Sequence, residues 1–248
     1  MTSTSETGHA KNVANFDDLI SFITGYGTAY NPTKASLKLP ALQTLSTNAK
    51  NAIDSVNAAI PAYTNAVAAR EVAFVPLNKL VTRVINALRA TDTSSQIDES
   101  ARTLIRKIQG RRATAKKTDE EMKTIAATGN EVVEISSSQM SYDSRLDNLD
   151  KLIKLLASVD LYAPNEEELK VTTLGALYND LKTKNSNVVK AGTPLSNVRI
   201  SRNDILYKAN TGLVDIALDT KSYIKSLYGA TSPLFKQVSK LEFKAIRT

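Results

Sequence analysis

Apolar positions along this chain recur at helical spacing almost from end to end. Phe16, Leu19, Ile20 and Ile23 stand at i, i+3, i+4 and i+7 and predict a short first helix, with Asn15 in front as its N-cap. Residues 1–14 show no such recurrence. Thr, Ser, Gly and Glu dominate them, and ordering them would cost more entropy than burial returns, so a loose tail is expected. A longer stripe follows: Leu42, Leu45, Ala49, Ala52, Val56, Ala59, Tyr63 and Val67 alternate steps of three and four. Such a run predicts a long helix that packs along other helices. Pro61 falls inside it and reads as a kink in one continuous helix. Leu80, Val81, Val84, Ile85 and Leu88 predict a return helix from Leu77, and Thr91 to Ser95 reads as a turn. Ile97, Ala101, Leu104, Ile105 and Ile108 predict a further helix that stops at Gly110.

The same order of elements then recurs. Leu149, Leu152, Ile153 and Leu156 match the first helix, with Asn148 in front. Leu174, Leu177, Leu181, Val188, Leu195 and Val198 match the long stripe. Here Gly192-Thr193-Pro194 reads as a stop and restart, which leaves the continuity of the second long helix open. Leu206, Ala209, Leu213 and Ile216 match the return helix, and Tyr223, Ile224 and Leu227 end at Gly229. About thirteen residues of the intervening turn are missing there, so these last two stretches are expected to run on as one helix. Two short alternating runs, Glu131 to Ile135 and Leu241 to Ile246, sit at the ends of the two halves and suggest one two-stranded β pairing.

Residue identity supports the repetition. At an offset of 132, Tyr30, Pro32, Leu37, Lys38, Leu42 and Leu45 reappear as Tyr162, Pro164, Leu169, Lys170, Leu174 and Leu177. Twelve identities fall in the 49 positions from Tyr30 to Asn78, including Arg70 with Arg202. Chance alone gives roughly three, at about 6% identity for average composition. The expected fold is all-α, an elongated helical bundle made of two tandem copies of one helical unit. The expected division is a tail over 1–14, a first repeat over 15–117, a linker over 118–140 and a second repeat over 141–248.

Composition narrows this picture. The 248 residues are 42% hydrophobic, with no Trp, five Phe and no Cys. The core must therefore be aliphatic, and disulfides, thiolate zinc sites and a cysteine nucleophile are excluded. No window is long and apolar enough for a membrane-spanning helix, and the polar N-terminus lacks the apolar core of a signal peptide, so a cytoplasmic protein is expected. The net charge of +7 is unevenly spread. Residues 70–117 carry eleven basic and four acidic groups, residues 118–198 eight and thirteen, and residues 199–248 nine and four.

Candidate chemistry is sparse. The one histidine, His9, falls in the expected tail, where it reads as a solvated residue. A di-metal carboxylate centre needs Glu-x-x-His pairs, and a Ser-His-Asp triad needs a histidine base, so neither can be assembled elsewhere. Neither a Walker loop nor G-x-G-x-x-G occurs. No catalytic, cofactor-binding or metal-binding residue is assigned and no cofactor is expected.

The basic run is the one candidate site. Arg102, Arg106, Lys107, Arg111, Arg112, Lys116 and Lys117 crowd the end of the first repeat, and Lys221, Lys225, Lys236 and Lys240 the end of the second. Such cations can track phosphates, or they can favour a helix C-terminus and pair with the acidic stretch. Tyr30 and Tyr162 read as plugs whose hydroxyls are bonded locally, and Arg70 and Arg202 as members of structural ion pairs. Val72-Ala73-Phe74-Val75-Pro76-Leu77 is the most apolar run, too short for a membrane hairpin. The expected function is a non-catalytic scaffold or adaptor that binds protein partners or itself. The alternative is a sequence-nonspecific nucleic-acid binder using the basic segments.

Overall fold

A computed structural model of the chain describes residues 8–111, 120 and 140–245. The described chain is all-α, with no strand. The helices are α1 (His9–Tyr26), α2 (Leu39–Phe74), α3 (Leu77–Arg89), α4 (Ser95–Gln109), α5 (Tyr142–Ala157), α6 (Val171–Tyr207), α7 (Leu213–Tyr228) and α8 (Pro233–Ser239). Single 3-10 turns, Ala35–Leu37 and Glu167–Leu169, lead into the two long helices.

The chain divides into two compact units. Unit 1 holds Met1–Thr64 and Ala191–Thr248, and unit 2 holds Asn65–Lys190. Each unit therefore takes one part from each predicted repeat, and α2 and α6 each contribute to both. In unit 1, α7 packs on α1 and α8 around Phe16, Leu19, Ile23, Leu42, Leu206, Leu213 and Ile224. In unit 2, α4 packs on α3 and α5 around Leu77, Val81, Leu88, Ile108, Leu149, Leu152 and Leu174. Each fully buried aliphatic side chain contributes about 1.5–3 kcal/mol, so stripes of this length are enough to hold the helices together.

Local sequence sets three of the helix ends. Ser141 and Ser232 cap α5 and α8, accepting from the backbone N–H of Ser144 and Phe235, both at 3.1 Å. Gly110 closes α4 in the left-handed region at φ 68°, and the Arg111 N–H reaches the Arg106 carbonyl at 2.8 Å. That pairing is the six-to-one bond of a Schellman end.

Three expectations change, and one point left open is settled. The helix expected from residue 16 begins at His9, so the tail cannot extend through residue 14, and residues 1–7 lie outside the described chain. Asn12 and Asn15 are buried interior positions of α1, so Asn15 is not its cap. The second long helix runs unbroken through Pro194, as the first does through Pro61. A helical proline removes one backbone hydrogen bond, at a cost of about 3 kcal/mol, which the flanking buried stripe offsets. The return helix expected from Leu206 is interrupted. α6 ends at Tyr207, Asn210 turns left-handed at φ 63°, and a Cβ on Gly212 would lie 2.6 Å from the Lys208 backbone nitrogen. From Leu213 onward the two expected stretches do run as one helix.

The β pairing fails on its C-terminal side, and Glu131 to Ile135 lies outside the described residues. Leu241 to Ala245 forms no strand, and side chains engage most of its backbone. Asn15 donates to the Glu242 carbonyl at 2.7 Å, Asn12 donates to the Lys244 carbonyl at 2.8 Å, and the Lys244 N–H returns to Asn12 Oδ1 at 3.1 Å. With those groups engaged by α1, the segment has no need of a partner strand.

Candidate functional site

The predicted cations fall into two sets, one per unit. In unit 2, Arg102 and Arg106 share Glu99. Arg106 Nη2 stands 2.7 Å from its carboxylate and 2.9 Å from Thr103 Oγ1, with Arg102 at 3.8 Å. Lys107 is half-buried in the last turn of α4, where the helix dipole favours a cation, and Arg111 is exposed just beyond. Arg112, Lys116 and Lys117 lie outside the described residues.

In unit 1, Lys221 is structural. Its Nζ donates to the Leu241 carbonyl at 2.7 Å and to the Ser239 carbonyl at 3.2 Å, 5.9 Å from the Phe243 ring centre. Burial lowers its pKa below the ordinary lysine value. Lys225, Lys236 and Lys240 are exposed. The arrangement engages Arg106 and Lys221 within the fold and leaves these three lysines open to solvent.

The matched tyrosines behave alike. Tyr30 donates to the Leu37 carbonyl at 2.7 Å, and Tyr162 to the Leu169 carbonyl at 2.9 Å, each seven residues ahead. Burial pushes both phenols up to about 12. The plug reading stands, and it also ties each 3-10 turn to the loop before it.

The matched arginines differ from expectation. Arg70 donates to Asn185 Oδ1 at 3.1 Å and lies 3.9 Å over the Tyr142 ring, while its Nε is buried without a partner. Arg202 donates twice to Asn203 Oδ1, at 3.1 and 2.8 Å. Amides therefore replace the expected carboxylates. An aromatic face and a neutral acceptor can hold a half-buried guanidinium without desolvating a second charge.

Two groups were not singled out as structural in the sequence. Arg145 is buried in unit 2, donating to the Ile108 carbonyl at 3.2 Å and to Asn78 Oδ1 at 3.0 Å. It lies 133 residues after Asn12, the spacing that carries Phe16, Leu19 and Ile23 onto Leu149, Leu152 and Leu156. His9 is no tail residue. Its Nδ1 meets the Tyr207 hydroxyl at 2.7 Å, and burial, then the Arg202 charge, lower its pKa below the usual histidine value.

The most apolar run splits at the α2–α3 corner. Phe74 and Leu77 enter the core of unit 2, whereas Val72 and Val75 are 71% and 77% exposed. Beside this ridge lies an open groove of about 400 Å³ with an apolar floor of Pro76, Leu80, Leu174 and Leu177. Its rim carries Lys79 and the ion pair between Arg83 and Glu168. A lining of this kind takes an apolar group and offers charges only at its edge. The membrane-hairpin reading of the run has no continuous apolar face to rest on.

Among the described residues, no group of His, Asp and Glu side chains is placed to hold a metal ion, and no helix is long and apolar enough to cross a membrane. No protein-family model, curated protein or solved structure matches the chain.

Proposed function

We propose that this chain is a duplicated, non-catalytic helical scaffold that binds protein, itself included, in the cytoplasm. The observation that carries the reading is the ridge of Val72 and Val75, left in water beside an open apolar groove in unit 2. Two exposed valines next in the chain to a groove with an apolar floor support an interaction site at this corner. The duplication is supported by the two tyrosine locks, which repeat one hydrogen bond at matched positions. The non-catalytic part is supported by His9, whose ring is occupied in holding α1 to Tyr207.

Light scattering of the purified chain at rising concentration tests the reading, without and with short DNA and RNA, at low and moderate salt. The expected result is a defined oligomer that nucleic acid leaves unchanged.

The second reading, nonspecific nucleic-acid binding, is carried by exposed Lys225, Lys236 and Lys240 in unit 1. It predicts a complex that weakens steeply with salt and is lost when these three lysines are changed to Glu. Such a complex would replace the scaffold reading.

A further inference from the structure

We infer that the ridge and groove of unit 2 together form a twofold contact between two copies of this chain. The inference rests on the scaffold reading and gives it a surface. The ridge is Val72 in the last turn of α2 and Val75 just beyond it, and Pro76, the next residue, lines the groove. Protrusion and depression therefore share one corner of the fold. A twofold contact pairs one patch with itself and so needs both shapes on that patch, and this corner supplies them: the valines of each copy meet the Leu80, Leu174 and Leu177 floor of the other.

The charges obey the same rule. Glu71 directly precedes the ridge, Lys79 stands on the groove rim, and both side chains are exposed. Neither has an ion-pair partner among the described residues. When a ridge meets a groove across a twofold axis, Glu71 of one copy comes to Lys79 of the other, twice per dimer. An unrelated partner would need only one shape and one sign, whereas this patch carries both. The named residues fall short of the roughly 20–30 a side of a standard interface, so the expected dimer is weak and dissociates in the micromolar range.

Sedimentation velocity of the full chain across the micromolar range tests the contact, with thermal melts as a check on folding. The wild type should pass from monomer to dimer. Val75→Asp should raise the dissociation constant roughly a hundredfold or more, because the charge enters both halves of the contact. Its melt should be unchanged, since Val75 is mostly in water. Glu71→Lys and Lys79→Glu should each weaken the dimer, and the double reversal should restore it. A wild-type dimer that all of these variants leave intact overturns this surface while self-assembly stands. A wild type that stays monomeric overturns both the surface and self-assembly.

Discussion

Each of the two compact units is held by buried apolar helix stripes, and each fastens its inward polar positions in its own way. In both, a tyrosine hydroxyl holds the carbonyl seven residues ahead at the entrance to a long helix. In both, the first helix buries three large side chains in step: Phe16, Leu19 and Ile23 in unit 1, and Leu149, Leu152 and Leu156 in unit 2. They part at the polar positions facing inward. Unit 1 presents Asn12 and Asn15, which bind the backbone of Glu242 and Lys244. Unit 2 presents Asn148 where unit 1 has Asn15, donating to the Ser144 carbonyl at 2.7 Å, and Arg145 where unit 1 has Asn12, binding Asn78 and the Ile108 carbonyl near the end of α4. The nearby ion pairs also swap polarity. Lys34, just before its 3-10 turn, pairs with Asp219 on α7 at 2.6 Å, whereas Glu168, within its turn, pairs with Arg83 on α3. Apolar spacing thus builds the frame, and a few polar residues choose which segment is fastened to it.

The strongest way to break this comparison is to hollow the two cores separately. Leu19 and Leu152 are both fully buried, each in the cluster of its own unit. Leu19→Ala and Leu152→Ala should each cost about 2–5 kcal/mol. Hydrogen exchange in mild urea should place each loss in the unit that contains the substitution. Equal loss of protection across the whole chain from either variant would mean that the two clusters unfold as one.

The inward polar positions come next. Asn12→Ala removes both amide bonds to Lys244 and a weaker one to the Tyr207 hydroxyl at 3.4 Å, and should cost about 2 kcal/mol. The Lys244 amide should then exchange freely; if it stays protected, α1 is not what holds the C-terminal segment. Arg145→Met should cost less, about 1 kcal/mol, because an apolar chain of similar length keeps the packing and relieves the burial of a charge. Reversed costs in thermal melts would show that Arg145 is the stronger lock.

The tyrosines sharpen the likeness itself. Tyr30→Phe and Tyr162→Phe each remove one hydrogen bond from a buried ring and should each cost about 1 kcal/mol. A clear inequality between them would separate the two elements energetically despite their matched geometry.

The helical frame was legible in the sequence because it rests on periodic apolar residues. Leu80 to Leu88, Ala101 to Ile108 and the two long stripes all lie in the helices their spacing predicts. What was hidden was polar and distant in sequence. Asn15 has the composition of a cap, and only the chain end 227 residues away makes it an interior lock. Leu241 to Ala245 alternates like a strand, yet its partners are side chains of helices. The assignment of segments to units was hidden too, since similarity between halves does not say which half packs on which. The candidate site divided in the same manner. Clustering of basic residues was visible, but the absorption of Arg106 by Glu99 and of Lys221 by carbonyls depends on folded geometry. Val72 and Val75 were visible as apolar, and their exposure follows from Phe74 and Leu77 taking the core side of the same corner.

The smallest expected effect separates the units by pH. His9 sits at the start of α1, against Tyr207 and beside the guanidinium of Arg202. The corresponding aromatic contact of unit 2, Tyr142 against Phe74, contains no histidine. Burial and the neighbouring charge hold the His9 pKa below the ordinary value of 6.5, so the folded chain prefers the neutral ring. Between that lowered pKa and 6.5 the unfolded chain binds more protons than the folded one, and stability falls as pH falls through this window. The stabilisation is complete above 6.5 and is lost below the folded pKa. Because His9 is only partly buried, solvent screens the effect and the loss should be slight. Acidification just below neutrality should therefore loosen the start of α1 in unit 1 and leave unit 2 untouched, as followed by amide exchange. His9→Gln should remove the dependence. A His9 ring that titrates at or above 6.5 by NMR would reverse the sign and remove this difference between the units.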